Sequence, residues 1–237
     1  MDNSKCDHIP IQEKLDLNIS QGAQTPKEVN RVKNIPYASA VGSIMYAVRC
    51  TRPDIAFAQN ITSRFQQNPG ELHWTAVKNI LKYLRNTKDM FLVYSGNPST
   101  ELRVESYCDA GFETDRDDTK SQTGYVFVLN GGAVDWKSSK QSTIAMSATE
   151  SEYIAASEAV MEVVWIRKFI SWLVQRGARH YLRKYHYVLE SVVLGEIKIL
   201  KVYTDNNLAD PFTKALSNRK LTKHARSMGL CPASSFL

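Results

Sequence analysis

Three acidic side chains stand where carboxylates could converge on one cleft. Asp109 closes an alternating apolar run, in Tyr107-Cys108-Asp109-Ala110-Gly111. Glu152 lies near the start of a long helical stretch, in Ser147-Ala148-Thr149-Glu150-Ser151-Glu152-Tyr153. Asp210 opens a short helix behind a strand, in Asn206-Asn207-Leu208-Ala209-Asp210-Pro211-Phe212-Thr213-Lys214. Carboxylates at strand ends meet in the crevice of an open α/β sheet. The chemistry that such a set serves is phosphodiester hydrolysis: two magnesium ions about 4 Å apart hold the attacking and the leaving oxygen. Magnesium is a hard cation that takes oxygen ligands, so no histidine or cysteine is needed. Each acid also has a plain explanation, as a solvated turn aspartate, a helix first-turn charge or a helix-start aspartate.

Glu150 and Glu152, two apart on a helix, face different ways. Glu152 shares its side with Ala155, Ala156, Ala159 and Val163, a small-residue face that permits close approach to a sheet. Glu150 aligns with Ile154, Ser157 and Met161, which makes it the competitor that favours the helix dipole. Asp205 competes with Asp210 from a more exposed turn. Four cations offer themselves to a nucleic-acid backbone: Lys137 and Lys140 at a hairpin exit, and Arg179 and Lys184 on a later helix. His180 and His186 read as surface positions, and the four tryptophans as packing.

The elements that must carry these residues follow from periodicity. Residues 1–35 are polar and without period, an extended lead-in. Residues 37–65 and 71–86 are helical, with Pro53 splitting the first stretch and Pro69-Gly70 separating the two. Strands are expected at 90–94, 102–108 and 125–129, the last turning at Asn130-Gly131-Gly132 into 133–137. Helices follow at about 147–173 and 178–193, then a strand at 196–203 with Ile197, Ile199 and Val202 inward, a short helix through Leu216 and a last helix at 218–228.

The 237 residues, 43% hydrophobic, suffice for a core. A net charge of +6 permits nucleic-acid binding without requiring it. Cys6, Cys50, Cys108 and Cys231 have no zinc spacing and read as free thiols. No apolar run is long enough to span a bilayer, so no membrane partner is expected. No secretory leader is visible either.

Several long segments resemble the C-terminal part of copia-type retrotransposon Pol polyproteins. Pro36-Tyr37-Ala38-Ser39-Ala40-Val41-Gly42-Ser43-Ile44-Met45-Tyr46, Thr51-Arg52-Pro53-Asp54-Ile55 and His73-Trp74-Thr75-Ala76-Val77-Lys78 look like the stretch after the reverse transcriptase palm. Tyr107-Cys108-Asp109-Ala110, Trp136-Lys137-Ser138-Ser139-Lys140-Gln141, the 147–153 segment and the 207–214 segment resemble that family's ribonuclease H. The resemblance implies an α/β fold, a ribonuclease H-like mixed sheet of five strands with helices on both faces, after a small helical connection segment. Its boundaries would be 1–35 lead-in, 36–88 connection, 89–216 ribonuclease H-like and 217–237 C-terminal helix and tail.

It also implies Mg2+- or Mn2+-dependent cleavage of RNA in an RNA–DNA hybrid, with Asp109, Glu152 and Asp210 as ligands. The partners would be the hybrid and other parts of the polyprotein, and the setting intracellular, a cytoplasmic particle or the nucleus. Two departures stand out. No Tyr-x-Asp-Asp element exists, so no polymerase activity is expected. The family's strand with Cys-Asp-Asn between the two long helices is missing near 174–177, which reads as an internal deletion of a central parallel strand. The strand at 196–203 would then slide to pair with 102–108, or the sheet would stay gapped. An impaired enzyme, a non-catalytic binding module and a non-functional remnant are the readings this leaves.

Overall fold

The computed structural model describes residues 8–94, 104–174 and 200–236. The lead-in is not wholly extended. Thr25 caps helix α1 (Pro26–Lys33): its hydroxyl accepts from Glu28 N at 3.3 Å, and Glu28 Oε2 accepts from Thr25 N at 2.9 Å. No α1 residue is buried, so caps rather than an apolar face define it, and periodicity could not reveal it. Helix α2 (Tyr37–Cys50), a 3-10 turn at Pro53–Ile55, α3 (Ala56–Ser63) and α4 (Glu71–Asn86) follow the expected breaks. Tyr37, Val41, Ile44 and Val48 of α2 pack with Ile55 and with Val77, Ile80 and Tyr83 of α4.

Strands β2 (Val104–Gly111), β3 (Gln122–Leu129) and β4 (Gly132–Lys140) form an antiparallel sheet in that order. Asn130 and Gly131 turn β3 into β4, both with positive φ, at 49° and 83°. The central strand β3 explains the sandwich. Its Tyr125 and Phe127 face helix α5 (Ala148–Val174) with Ala159, while Val126 and Val128 join the α2–α4 core. Buried on both faces, β3 reads as a continuous apolar run rather than an alternation. Helices therefore cover both faces of the sheet, and one core runs from the N-terminal helices through the sheet to Phe212, Leu221 and Met228.

Several expectations need correction. Among the described residues the sheets are purely antiparallel rather than mixed: the three strands above and a separate pair of β1 (Met90–Leu92) with β5 (Leu230–Pro232). Residues 200–203 form no strand, and Val202 is 40% exposed, so the side chain expected to be inward faces solvent. Asn207 donates its side-chain amide to Cys108 O at 2.9 Å, so an asparagine meets the β2 edge where a strand was expected. The short helix through Leu216 is instead two 3-10 turns, Thr204–Asn206 and Asp210–Phe212. The last helix, α6 (Asn218–Ser227), is as expected. The helix at 178–193, with Arg179, Lys184, His180 and His186, lies outside the described residues, as do the junction at 174–177 from residue 175 on and Ile197 and Ile199.

His73 locks the start of α4. It is fully buried and stacks on Phe65 at 4.0 Å. Its Nδ1 accepts from Gly70 N at 2.8 Å, so Nε2 carries the proton and donates to Asn18 O at 3.1 Å. Burial holds its pKa below the ordinary value, and the Asn18 carbonyl and Asp117 only partly offset this. The unfolded chain takes up a proton near pH 6.5 that the folded chain refuses. Stability is therefore full above that pH and falls as pH drops through it toward the lower native value. Burial depresses His224 in the same direction. Melting temperatures from pH 7.5 to 5.5 are expected to fall, and His73→Asn, less stable at pH 7.5, is expected to show a shallower fall. An unchanged slope would remove His73 from this account.

Candidate functional site

Two backbone approaches set the site. Asp109 stands half-buried in the last third of β2. The 207–214 segment folds across the end of the sheet, held by Phe212, whose side chain is fully buried and whose carbonyl accepts from Ser138 Oγ at 2.5 Å. Gly124 of β3 lets that segment come close: a Cβ there would lie 2.6 Å from Phe212 Cβ and 2.8 Å from Thr213 Cγ2. Asn207 Oδ1 accepts from Ala209 N at 3.1 Å while its amide holds β2, so one side chain ties the strand to the turn.

These approaches bring Asp109 and Asp210 into electrostatic contact, and Asp109 and Glu152 likewise. Glu152 projects from the first turns of α5, whose Ala155 and Ala159 are buried; the carboxylate itself, expected to face inward, is on the exposed rim of the site. Burial raises the Asp109 carboxyl above its ordinary pKa against the Thr213 hydrogen bond and the Lys214 charge, and Asp210 adds to the rise. Partial loss of hydration raises Glu152 in the same way, helped by the charge of Asp109 and opposed by the Ala110 amide and Lys214.

The other candidates do other work. Glu150 helps to cap the start of α5: Ser147 Oγ accepts from Glu150 N at 3.1 Å, and Glu150 Oε2 accepts from Met146 N at 2.7 Å. Asp205 is exposed and paired with Lys220 at 3.1 Å, which holds its carboxyl below the ordinary range. Lys137 pairs with Glu158 at 3.3 Å. Lys140 lies 3.1 Å from Asp115 and 2.9 Å from Asp118, in a network that Arg64 joins through Asp115 at 2.5 Å. Burial alone would lower the Lys140 pKa, but its bonds to Asp118 and Asp115 raise it. Both hairpin lysines thus have acidic partners within the fold.

The carboxylates as arranged do not fit a metal. Among the described residues no three histidine, cysteine, aspartate or glutamate side chains stand close enough to hold one. Asp109 and Asp210 have partners within the protein instead. Thr213 donates its hydroxyl to Asp109 Oδ2, and Asn207 reaches Asp109 Oδ1 at 3.4 Å. Lys214 Nζ forms an ion pair with the buried Asp210 Oδ1 and bears electrostatically on both Asp109 and Glu152. The ammonium supplies the positive charge that the converging acids require. Asn207, Thr213 and Lys214 were visible in the sequence only as neighbours of Asp210; the signal was the i+4 spacing of Lys214 from it.

Comparison with known proteins places the chain. No family model matches it, and no solved structure matches it. The Retrovirus-related Pol polyprotein from transposon TNT 1-94 of Nicotiana tabacum is 37% identical over 244 residues, which is 93% of this chain and 18% of that protein. Secreted RxLR effector protein 161 of Plasmopara viticola is 45% identical over 135 residues, 57% of this chain and 94% of that protein. The Retrovirus-related Pol polyprotein from transposon RE2 of Arabidopsis thaliana is 28% identical over 247 residues, 93% of this chain. The chain spans 18% and 16% of the length of the two polyproteins. It belongs to the copia-type retrotransposon Pol polyproteins, of which it corresponds to a fragment.

Proposed function

We propose that this fragment is the connection and ribonuclease H part of a copia-type Pol polyprotein, and that it does not cut RNA in an RNA–DNA hybrid. The observation that carries the second half is the state of the carboxylates. Asp210 is buried against Lys214, and Asp109 accepts from Thr213. A magnesium ion would have to displace an ammonium from Asp210 and a hydroxyl from Asp109. Misplacement of ligands by about 1 Å already costs on the order of a hundredfold in rate. What remains is the sheet with helices on both faces, the three acids at one end of it and an excess of positive charge, which suit holding a hybrid better than hydrolysing it.

The test is cleavage of an end-labelled RNA–DNA hybrid by the purified chain in magnesium and in manganese, with Asp109→Asn alongside. No metal-dependent cleavage above the Asp109→Asn background is expected. Metal-dependent cleavage by the unaltered chain that disappears in Asp109→Asn would overturn the reading.

A further inference from the structure

We propose that helix α6 is a docking ridge for the phosphodiester backbone of a double-stranded nucleic acid. Residues 200–236 hold six lysines and arginines against two aspartates, a net +4 of the whole chain's +6. The charge is concentrated on one element. Within its ten residues α6 carries Arg219, Lys220, Lys223 and Arg226 and no acid. All four cations are exposed, while Leu221, His224 and Ala225 are buried beneath them. The helix is therefore amphipathic in an unusual sense, with an apolar side seated in the core and a cationic side facing out.

The four cations differ in what they are free to do. Lys220 is paired with Asp205 at 3.1 Å, and Lys223 donates to the Asp205 carbonyl at 2.7 Å. Arg219 and Arg226 have no ion-pair partner among the described residues. Positions 219, 223 and 226 fall on one stripe of a helix, over about 10 Å at 1.5 Å per residue. A nucleic-acid duplex presents one negative charge per roughly 1.7 Å of axis, so such a stripe faces several phosphates at once. Guanidinium groups match phosphate oxygens in pairs, which makes the two arginines the strongest contacts available. The hairpin lysines are less available than the two arginines, since Asp115, Asp118 and Glu158 already pair with them. The ridge also adjoins the carboxylate site: His224 and Lys220 both feel the charge of Asp210. A duplex lying along α6 would pass beside that site whether or not the site reacts.

The test reads binding without cleavage, so its failure is distinct from a failure of the reading above. Fluorescence anisotropy of a labelled 20-base-pair RNA–DNA hybrid is followed over a potassium chloride series. The unaltered chain is compared with Arg219→Gln/Arg226→Gln and with Lys27→Gln/Lys33→Gln, which removes the same charge from exposed positions on α1. The first variant is expected to bind on the order of tenfold more weakly. It should also flatten the slope of log K against log salt by about 1.8, two contacts at about 0.9 each. The α1 variant is expected to keep the slope, and circular dichroism should show all three chains equally folded. An unchanged slope in the α6 variant, or an equal loss in both variants, would overturn the proposal. So would arginine-dependent binding to phosphatidylserine vesicles with none to the hybrid.

Discussion

Asp54→Ala is expected to lower the unfolding free energy by about 3–5 kcal/mol, the cost of orphaning one member of a buried ion pair. Arg52 grips Asp54 with two parallel bonds, Nε to Oδ1 at 2.9 Å and Nη2 to Oδ2 at 2.8 Å. Both side chains are almost sealed, at 7% and 0% exposure. Tyr83 donates its hydroxyl to Asp54 Oδ2 at 2.7 Å, and Arg52 reaches on to Thr87 Oγ1 at 2.6 Å and Thr87 O at 3.2 Å. The knot therefore fastens the 3-10 turn after α2 to the C-terminal end of α4. Removing Asp54 leaves a buried guanidinium without its counter-charge, held through Thr87, and takes the acceptor from the Tyr83 phenol. At about 2–4 °C per kcal/mol for a chain of this size, the melting temperature should drop by roughly 6–20 °C. The double replacement Arg52→Met/Asp54→Leu should cost less than Asp54→Ala alone, because no charge is then stranded. Urea unfolding of the three chains decides this; a double variant as damaged as the single one would mean that packing, not the stranded charge, sets the cost.

The parts of the fold that could be read from sequence are those in which local and tertiary demands agree. The 125–129 run is apolar because β3 is covered on both sides there, and Asn130-Gly131 turns because both residues accept positive φ. Pro53 and Pro69-Gly70 break the helices where the structure does. Ala155 and Ala159 are buried as their spacing demanded and Glu150 serves at the helix start, whereas Glu152, expected to face inward, is exposed. The parts that were missed depend on partners remote in the chain. β5 has three residues, and only its pairing with β1 makes it a strand. The 200–203 segment has strand-like residues but no described neighbour to pair with, and Tyr203 is 83% exposed. Lys137 and Lys140 looked free because their acidic partners sit on α5 and on the 112–121 loop. A charge is available for binding only after the fold has decided what it touches: the hairpin lysines meet acids, whereas Arg219 and Arg226 of α6 have no ion-pair partner among the described residues.

Phe212→Ala is expected to cost about 3–5 kcal/mol and to release the carboxylate site as well. The phenyl ring is fully buried in the main core beneath the Asp210–Phe212 turn, beside the bare backbone of Gly124. Its truncation leaves a cavity at the aromatic anchor that, with the buried Pro211, lies between two site residues, Asp210 and Thr213. Among the described residues the backbone there is otherwise held by the Ser138 hydroxyl, the local turn bonds and the Asn207 side chain. Thr213 should then lose its grip on Asp109, whose raised carboxyl would return toward the ordinary value as water enters. Phe212→Leu keeps most of the volume and should cost less than about 1.5 kcal/mol with the Asp109 titration unmoved. Urea unfolding gives the stability of each chain, and carbon-detected NMR of the aspartate carboxyls gives the titration. If alanine proved no worse than leucine, Phe212 would not be the anchor. If alanine were costly but left the Asp109 titration in place, the turn would be held from Asn207 and Ser138, and the geometry of the site would be independent of the core beneath it.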